Sequence, residues 1–183
     1  MAGAPSTEPL LEVRDLSTWF HTRRGIAKAV DGIDFKVERG QVLCIVGESG
    51  CGKSVTALSI MQLVAPPGRI ESGEVRFDGR NLLELDAAEM TALRGEHISM
   101  IFQDPSSSLN PVTQIGLQVS EVYELHGAAR RKAGLDAATD MLTRVGIPDP
   151  ARRAKAYPHE MSGGMAQRVM IAMALACEPR LLI

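Results

Sequence analysis

Cysteine is scarce in this chain: three among 183 residues, Cys44, Cys51 and Cys177, far apart and without any C-x-x-C spacing. That excludes a disulfide framework and a cysteine-rich zinc site, and leaves reduced thiols in apolar or loop surroundings. An excess of either charge is missing too, with 20 basic against 22 acidic residues for a net charge of −2. Such a balance offers no basic surface, so no nucleic acid is expected among the partners. No apolar run approaches the length that spans a bilayer, and the start Met1-Ala2-Gly3-Ala4-Pro5 has no signal-peptide core. Any work at a membrane is therefore expected to go through a partner.

What is present is a phosphate-binding pattern, G-x-x-x-x-G-K-[ST], in Gly47-Glu48-Ser49-Gly50-Cys51-Gly52-Lys53-Ser54. Its three glycines allow backbone angles and close approaches that a Cβ would block, so successive N–H groups can converge on an anion. Lys53 can reach the β- and γ-phosphates of a nucleotide, and Ser54 can offer its hydroxyl to Mg²⁺. Just before the loop, Val42-Leu43-Cys44-Ile45-Val46 is continuously apolar, which predicts a strand buried on both faces of a parallel sheet. Residues 55–63 read as a helix, whose N-terminus would add its positive dipole to the phosphate site.

The remaining pattern is α/β. Leu11–Arg14, Ile33–Glu38 and Glu74–Phe77 alternate apolar and polar, as strands with one wet face do, and Asp78-Gly79 is a turn dipeptide. Asp86 with Glu89 forms a capping-box signature for a short helix that Gly95 would close. Ile98–Phe102 is strand-like. Val112, Ile115, Val119 and Val122 repeat at helical spacing, as do Leu135, Ala138, Leu142 and Val145. Between them, Arg130-Arg131-Lys132 reads as a solvated face. A last apolar helix is expected over Val169–Cys177, before Pro179, with Leu181-Leu182-Ile183 opening another buried strand. The expected organisation is a disordered tail over 1–9, a first core part over 10–104, a helical subdomain over 105–161, and a helix and strand over 162–183.

Two further segments carry chemistry. Gln103 lies just past a strand, where its carbonyl can join a Mg²⁺ shell or hold a water. Ser162-Gly163-Gly164 opens a helix and can act as a second anion site that needs no lysine. Taken singly, each has an ordinary structural explanation. In this order and spacing, the phosphate loop, the Gln103 segment and Met161-Ser162-Gly163-Gly164 resemble the ATP-binding-cassette ATPases over almost the whole chain. The finer matches, Ile98–Pro105 and Tyr157–Gly164, resemble the dipeptide, oligopeptide and nickel importer branch.

That resemblance implies a P-loop core with a parallel sheet, an N-terminal antiparallel β-subdomain and an inserted helical subdomain. It implies ATP and Mg²⁺ as ligands, with Mg²⁺ held through Ser54 and Gln103. Two cassettes would sandwich ATP, so that Ser162, Gly163 and Gly164 serve in trans the nucleotide held by a partner's loop. Phe20 would stack on adenine, with Trp19 as the alternative. Membrane-spanning permease subunits and, indirectly, an extracytoplasmic solute-binding protein would be the other partners, placing the chain on the cytoplasmic face of the inner membrane. Met165 stands where the family often has Gln, and Val55 where a hydroxyl residue is common.

The family's strand at 181–183 runs on into an Asp-Glu pair, and a switch histidine follows later. With neither in this sequence, the chain reads as a truncated cassette that is expected to hydrolyse ATP poorly. It is also expected to leave apolar surface and a sheet edge uncovered. His21, His97, His126 and His159 read as surface or packing residues. The rival readings are a truncated non-catalytic nucleotide-binding fragment and a soluble ABC ATPase acting on nucleic acid or ribosomes; a plain P-loop kinase would leave Ser162–Gly164 without a role.

Overall fold

The structure, a computed structural model, describes residues 8–126 and 131–183, the side chains of residues 106, 107, 131 and 132 excepted. Most of the expected tail and of the basic run at 130–132 thus lies outside the described residues. The chain divides into two compact units, Met1–Thr91 and Ala92–Ile183.

In the first unit, β1 (Leu11–Thr22) is the central strand of an antiparallel sheet. It pairs with β2 (Gly25–Val37) on one side and β3 (Gly68–Phe77) on the other; β4 (Arg80–Asn81) then adds to β3. Leu11, Val13, Leu16, Val75 and Phe77 supply its buried face. Both long strands extend well past their alternating stretches. The reason is a series of register shifts between Val13 and Trp19, each of which resets the in/out alternation. At the first of them Asp15 takes φ 45°, and its N–H is held by the Asp34 carboxylate at 2.9 Å. Gly73, at φ 109°, lets β3 pass so close that a Cβ there would sit 2.6 Å from the Asp15 carbonyl oxygen. Asp78 and Gly79 both have positive φ, the two-residue hairpin turn that their dipeptide predicts.

Helix α1 (Lys53–Ile60) packs on β1 and β2 and is tied down by a buried hydroxyl pair, Thr18 Oγ1 and Ser59 Oγ, at 2.7 Å. It ends three residues before the sequence pattern does. Gln62 enters the left-handed region at φ 50°, and the N–H groups of Gln62 and Leu63 return to Ser59 and Leu58. Gln62 thus occupies the helix-ending position usually given to glycine, and its amide donates to the Leu82 carbonyl. The capping box forms as read at the start of α2 (Ala87–Leu93), Glu89 N–H to Asp86 at 2.8 Å and Asp86 N–H to Glu89 at 3.1 Å.

One expectation fails. Val42–Val46 joins no ladder among the described residues, and Val42 and Val46 are 91% and 86% exposed. Continuous apolarity states that a segment favours covering on both faces, but strand pairing requires a neighbouring backbone, and no described strand pairs with it.

In the second unit, β5 (Ile98–Ser99) runs parallel to β6 (Leu181–Leu182), and the Ile101 N–H continues the contact to the Ile183 carbonyl at 2.9 Å. The helices are α3 (Pro105–Ser108), α4 (Ile115–Leu125), α5 (Arg131–Arg144), α6 (Pro150–Arg153) and α7 (Gly163–Leu175). Ile115, Val119, Ala138, Leu142, Ile147, Val169 and Ala172 form one core where α4, α5 and α7 meet. Helix α4 starts at Ile115 rather than Val112. The buried Gln118 amide holds the preceding turn, accepting from Asn110 N–H at 2.8 Å and donating to the Asn110 and Thr113 carbonyls at 3.0 and 2.8 Å. Helix α7 starts six residues earlier than its apolar pattern, because Ser162 caps it.

Candidate nucleotide-binding site

Residues 47–54 form a tight loop that runs into the first turn of α1. Gly50 and Gly52 have φ of 84° and 94°, backbone angles that a side chain would strain. Gly52 also lies against β2, where a Cβ would come within 2.2 Å of the Ala29 carbonyl oxygen. The Lys53 ammonium turns back over the loop and donates to the Gly47 and Glu48 carbonyls, each at 2.7 Å. The loop therefore brings a cation, three glycines and a helix N-terminus together in sequence and space, the groups whose chemistry suits a polyphosphate. No acidic residue lies in the first turn of α1 to compete for that positive field. Ser54, exposed in the same turn, presents a hard oxygen of the kind Mg²⁺ takes.

The Cys51 sulfur sits inside this loop, 3.4 Å from the Lys53 nitrogen and 2.6 Å from where a Cβ on Gly47 would be. An adduct on it would crowd the loop beside Lys53. Alkylation of Cys51 by N-ethylmaleimide is expected to block nucleotide binding, and saturating ATP to protect the thiol. Equal labelling with and without ATP, read by mass spectrometry, would count against this. Cys177 differs: it is half-buried, burial pushes its thiol pKa up, and its sulfur faces the Val122 carbonyl.

Phe20 is half-buried, with its ring against Gly68. Its cross-strand partner is Ala27, two residues along β2 from the Ala29 carbonyl beneath Gly52, or roughly 7 Å. Trp19 is engaged otherwise, with the Lys28 ammonium 4.5 Å from its ring centroid. His21 is a packing residue: it pairs with Glu71, whose carboxyl Arg69 first and His21 second hold below the usual range.

In the second unit, Gln103 is exposed just past Ile101 and Phe102. Ser162 caps α7, its Oγ accepting from Met165 N–H at 3.3 Å, and the space beside Gly163 and Gly164 is open. The approach to this cap is stiffened by the turn at Pro158–Glu160, where Glu160 accepts from Tyr157 N–H at 2.7 Å and the Tyr157 and His159 rings stack. Sequence reasoning missed a groove of about 460 Å³ in this unit, walled by Phe102, Val122, Leu125, His126, Met170 and Met173. Its residues come from separate elements, so no contiguous motif marks it.

The fold and loop define a nucleotide-binding cassette. The family model for the ABC transporter matches residues 30–183, and the chain belongs to that family. It is 53% identical over its whole length to a probable peptide ABC transporter ATP-binding protein of Sinorhizobium fredii, covering 55% of that protein. It is 49% identical to the oligopeptide transport ATP-binding protein OppD of Bacillus subtilis, with 95% of this chain and 49% of OppD covered. Among solved structures it resembles the dimeric post-hydrolysis state of the ATP-binding cassette MJ0796 bound to ADP and Pi. That likeness has a TM-score of 0.83 at 26% identity, over 94% of this chain and 72% of that one. The chain spans about half the length of the curated relatives it matches.

Proposed function

We propose that this chain is the ATP-binding part of a peptide importer's energising subunit, and that ATP binding and hydrolysis there drive uptake of di- or oligopeptides. The observation that carries the reading is the Lys53 ammonium held over a glycine loop at the start of α1. The relatives named for peptide and oligopeptide transport supply the substrate class. Residues 47–54 hold the phosphates and Phe20 lies against the adenine. Ser54 would hold Mg²⁺, which when bound neutralises charge on the polyphosphate. Ser162, Gly163 and Gly164 serve the nucleotide of a second cassette, whose charge bridges the two halves until the γ-phosphate leaves. The partners are then a second cassette, identical or related, and membrane-spanning permease subunits fed by a solute-binding protein. The chain would lie peripherally on the cytoplasmic face of the membrane.

Equilibrium binding of Mg²⁺-ATP, with sedimentation in its presence and absence, tests the reading. Saturable binding together with ATP-dependent self-association is expected. A chain that binds no ATP would overturn the reading.

A further inference from the structure

Helix α7 carries Ser162–Gly164 at its start, so its rotation about its own axis decides where that hydroxyl and those N–H groups point. Val169, fully buried, seats the helix in the core, but the rest of its packing face defines that rotation only loosely. Around it lie Met165, Ala166, Met170, Ala172, Met173 and Ala174, small or flexible side chains that fit a neighbour in more than one register. A directional contact is needed, and Arg168 makes it.

Arg168 lies six residues after Ser162, about 9 Å along the helix. Its Nη1 leaves α7 and donates to the Val145 carbonyl at 2.7 Å and the Gly146 carbonyl at 3.2 Å. Those carbonyls close the C-terminus of α5. There Val145 and Gly146 N–H return to Met141 and Thr143, Gly146 takes φ 76°, and Ile147 N–H reaches Leu142. The end of a helix presents outward carbonyls and a partial negative charge, and a guanidinium satisfies both. The fit is close: a Cβ on Gly146 would stand 2.4 Å from Arg168 Nη1. Just beyond, Ile147 is buried in the core that holds Val169 and Met170, so the clamp sits where α7 is already seated.

We propose that Arg168 is a positioning residue which sets the rotation of α7 and so aims Ser162, Gly163 and Gly164 at the partner's nucleotide. This rests on the sandwich reading above. Both bonds come from one guanidinium nitrogen, Nη1, and a lysine side chain ends one bond short of that position, so Arg168→Lys retains charge but loses the aim. Arg168 is exposed, which keeps the cost to folding small.

The test compares the parent chain with Arg168→Lys, Arg168→Ala and Gly146→Ala, the last displacing the guanidinium from the other side. Binding of a fluorescent ATP analogue should stay within about twofold, while ATP-dependent self-association weakens about tenfold or more. In ¹⁵N spectra the Gly163 and Gly164 amide signals should move in all three variants, with the strand β1 signals unmoved. Unchanged glycine signals would overturn the proposal, whatever the melting temperature does. A parent chain that binds ATP but never self-associates would instead overturn the sandwich reading, and the glycine signals would still decide the role of Arg168.

Discussion

Lys53→Ala will weaken ATP binding about a hundredfold or more while leaving the melting temperature nearly unchanged. The ammonium has three donors, and a hydrogen bond to an ionised partner contributes about 1.5–3 kcal/mol. Two such bonds to phosphate oxygens are therefore worth on the order of 3–6 kcal/mol, or two to four decades in affinity. Stability should hold because the groups that Lys53 now satisfies, the Gly47 and Glu48 carbonyls, belong to exposed residues that water can serve. The measurement is titration with a fluorescent ATP analogue beside thermal melting. Affinity within about threefold of the parent would remove the loop from the nucleotide site.

Gly52→Ala will unfold the loop's junction with β2, costing roughly 2–5 kcal/mol of stability together with ATP binding. Two effects add. The residue sits at φ 94°, where a Cβ is strained whatever the space, and that Cβ would stand 2.2 Å from the Ala29 carbonyl oxygen. Backbone cannot give way there as a flexible side-chain end could, since Ala29 lies within β2 two residues from a strand partner of Phe20. Gly50→Ala separates the two effects. Its φ is 84° but nothing lies within 4 Å, so only the backbone strain of about 1–2 kcal/mol should appear. Urea denaturation of both variants checks this, and equal midpoints would show that the close approach to Ala29 does not matter.

Much of the chemistry was legible before any fold was known. The phosphate loop needs contiguous backbone N–H groups and one lysine, so its whole requirement is written in residues 47–54. The capping box of Asp86 and Glu89 and the turn at Asp78-Gly79 were legible for the same reason, since both partners lie within three residues. Belonging to one family was legible from the order of three such short segments. The buried strand read into residues 42–46 shows the limit. Its apolar run records a preference for cover, and no described strand pairs with it.

Other features depended on partners far away in the chain. The length of β1 was hidden because its register shifts break the alternation that marks a strand, and those shifts answer to Asp34 and Gly73. The end of α1 was hidden because Gln62 takes an angle that sequence reading reserves for glycine, supported by a carbonyl twenty residues on. The clamp of Arg168 on the end of α5 spans 23 residues, and the walls of the groove beside Phe102 come from several elements. By itself the sequence determined the family and the glycine-lysine loop on which the phosphate reading rests, because that motif is local and nearly independent of surroundings. Only the tertiary structure decided where strands and helices stop and how α7 is held, because those energies arise between side chains and carbonyls that meet only once the chain has folded.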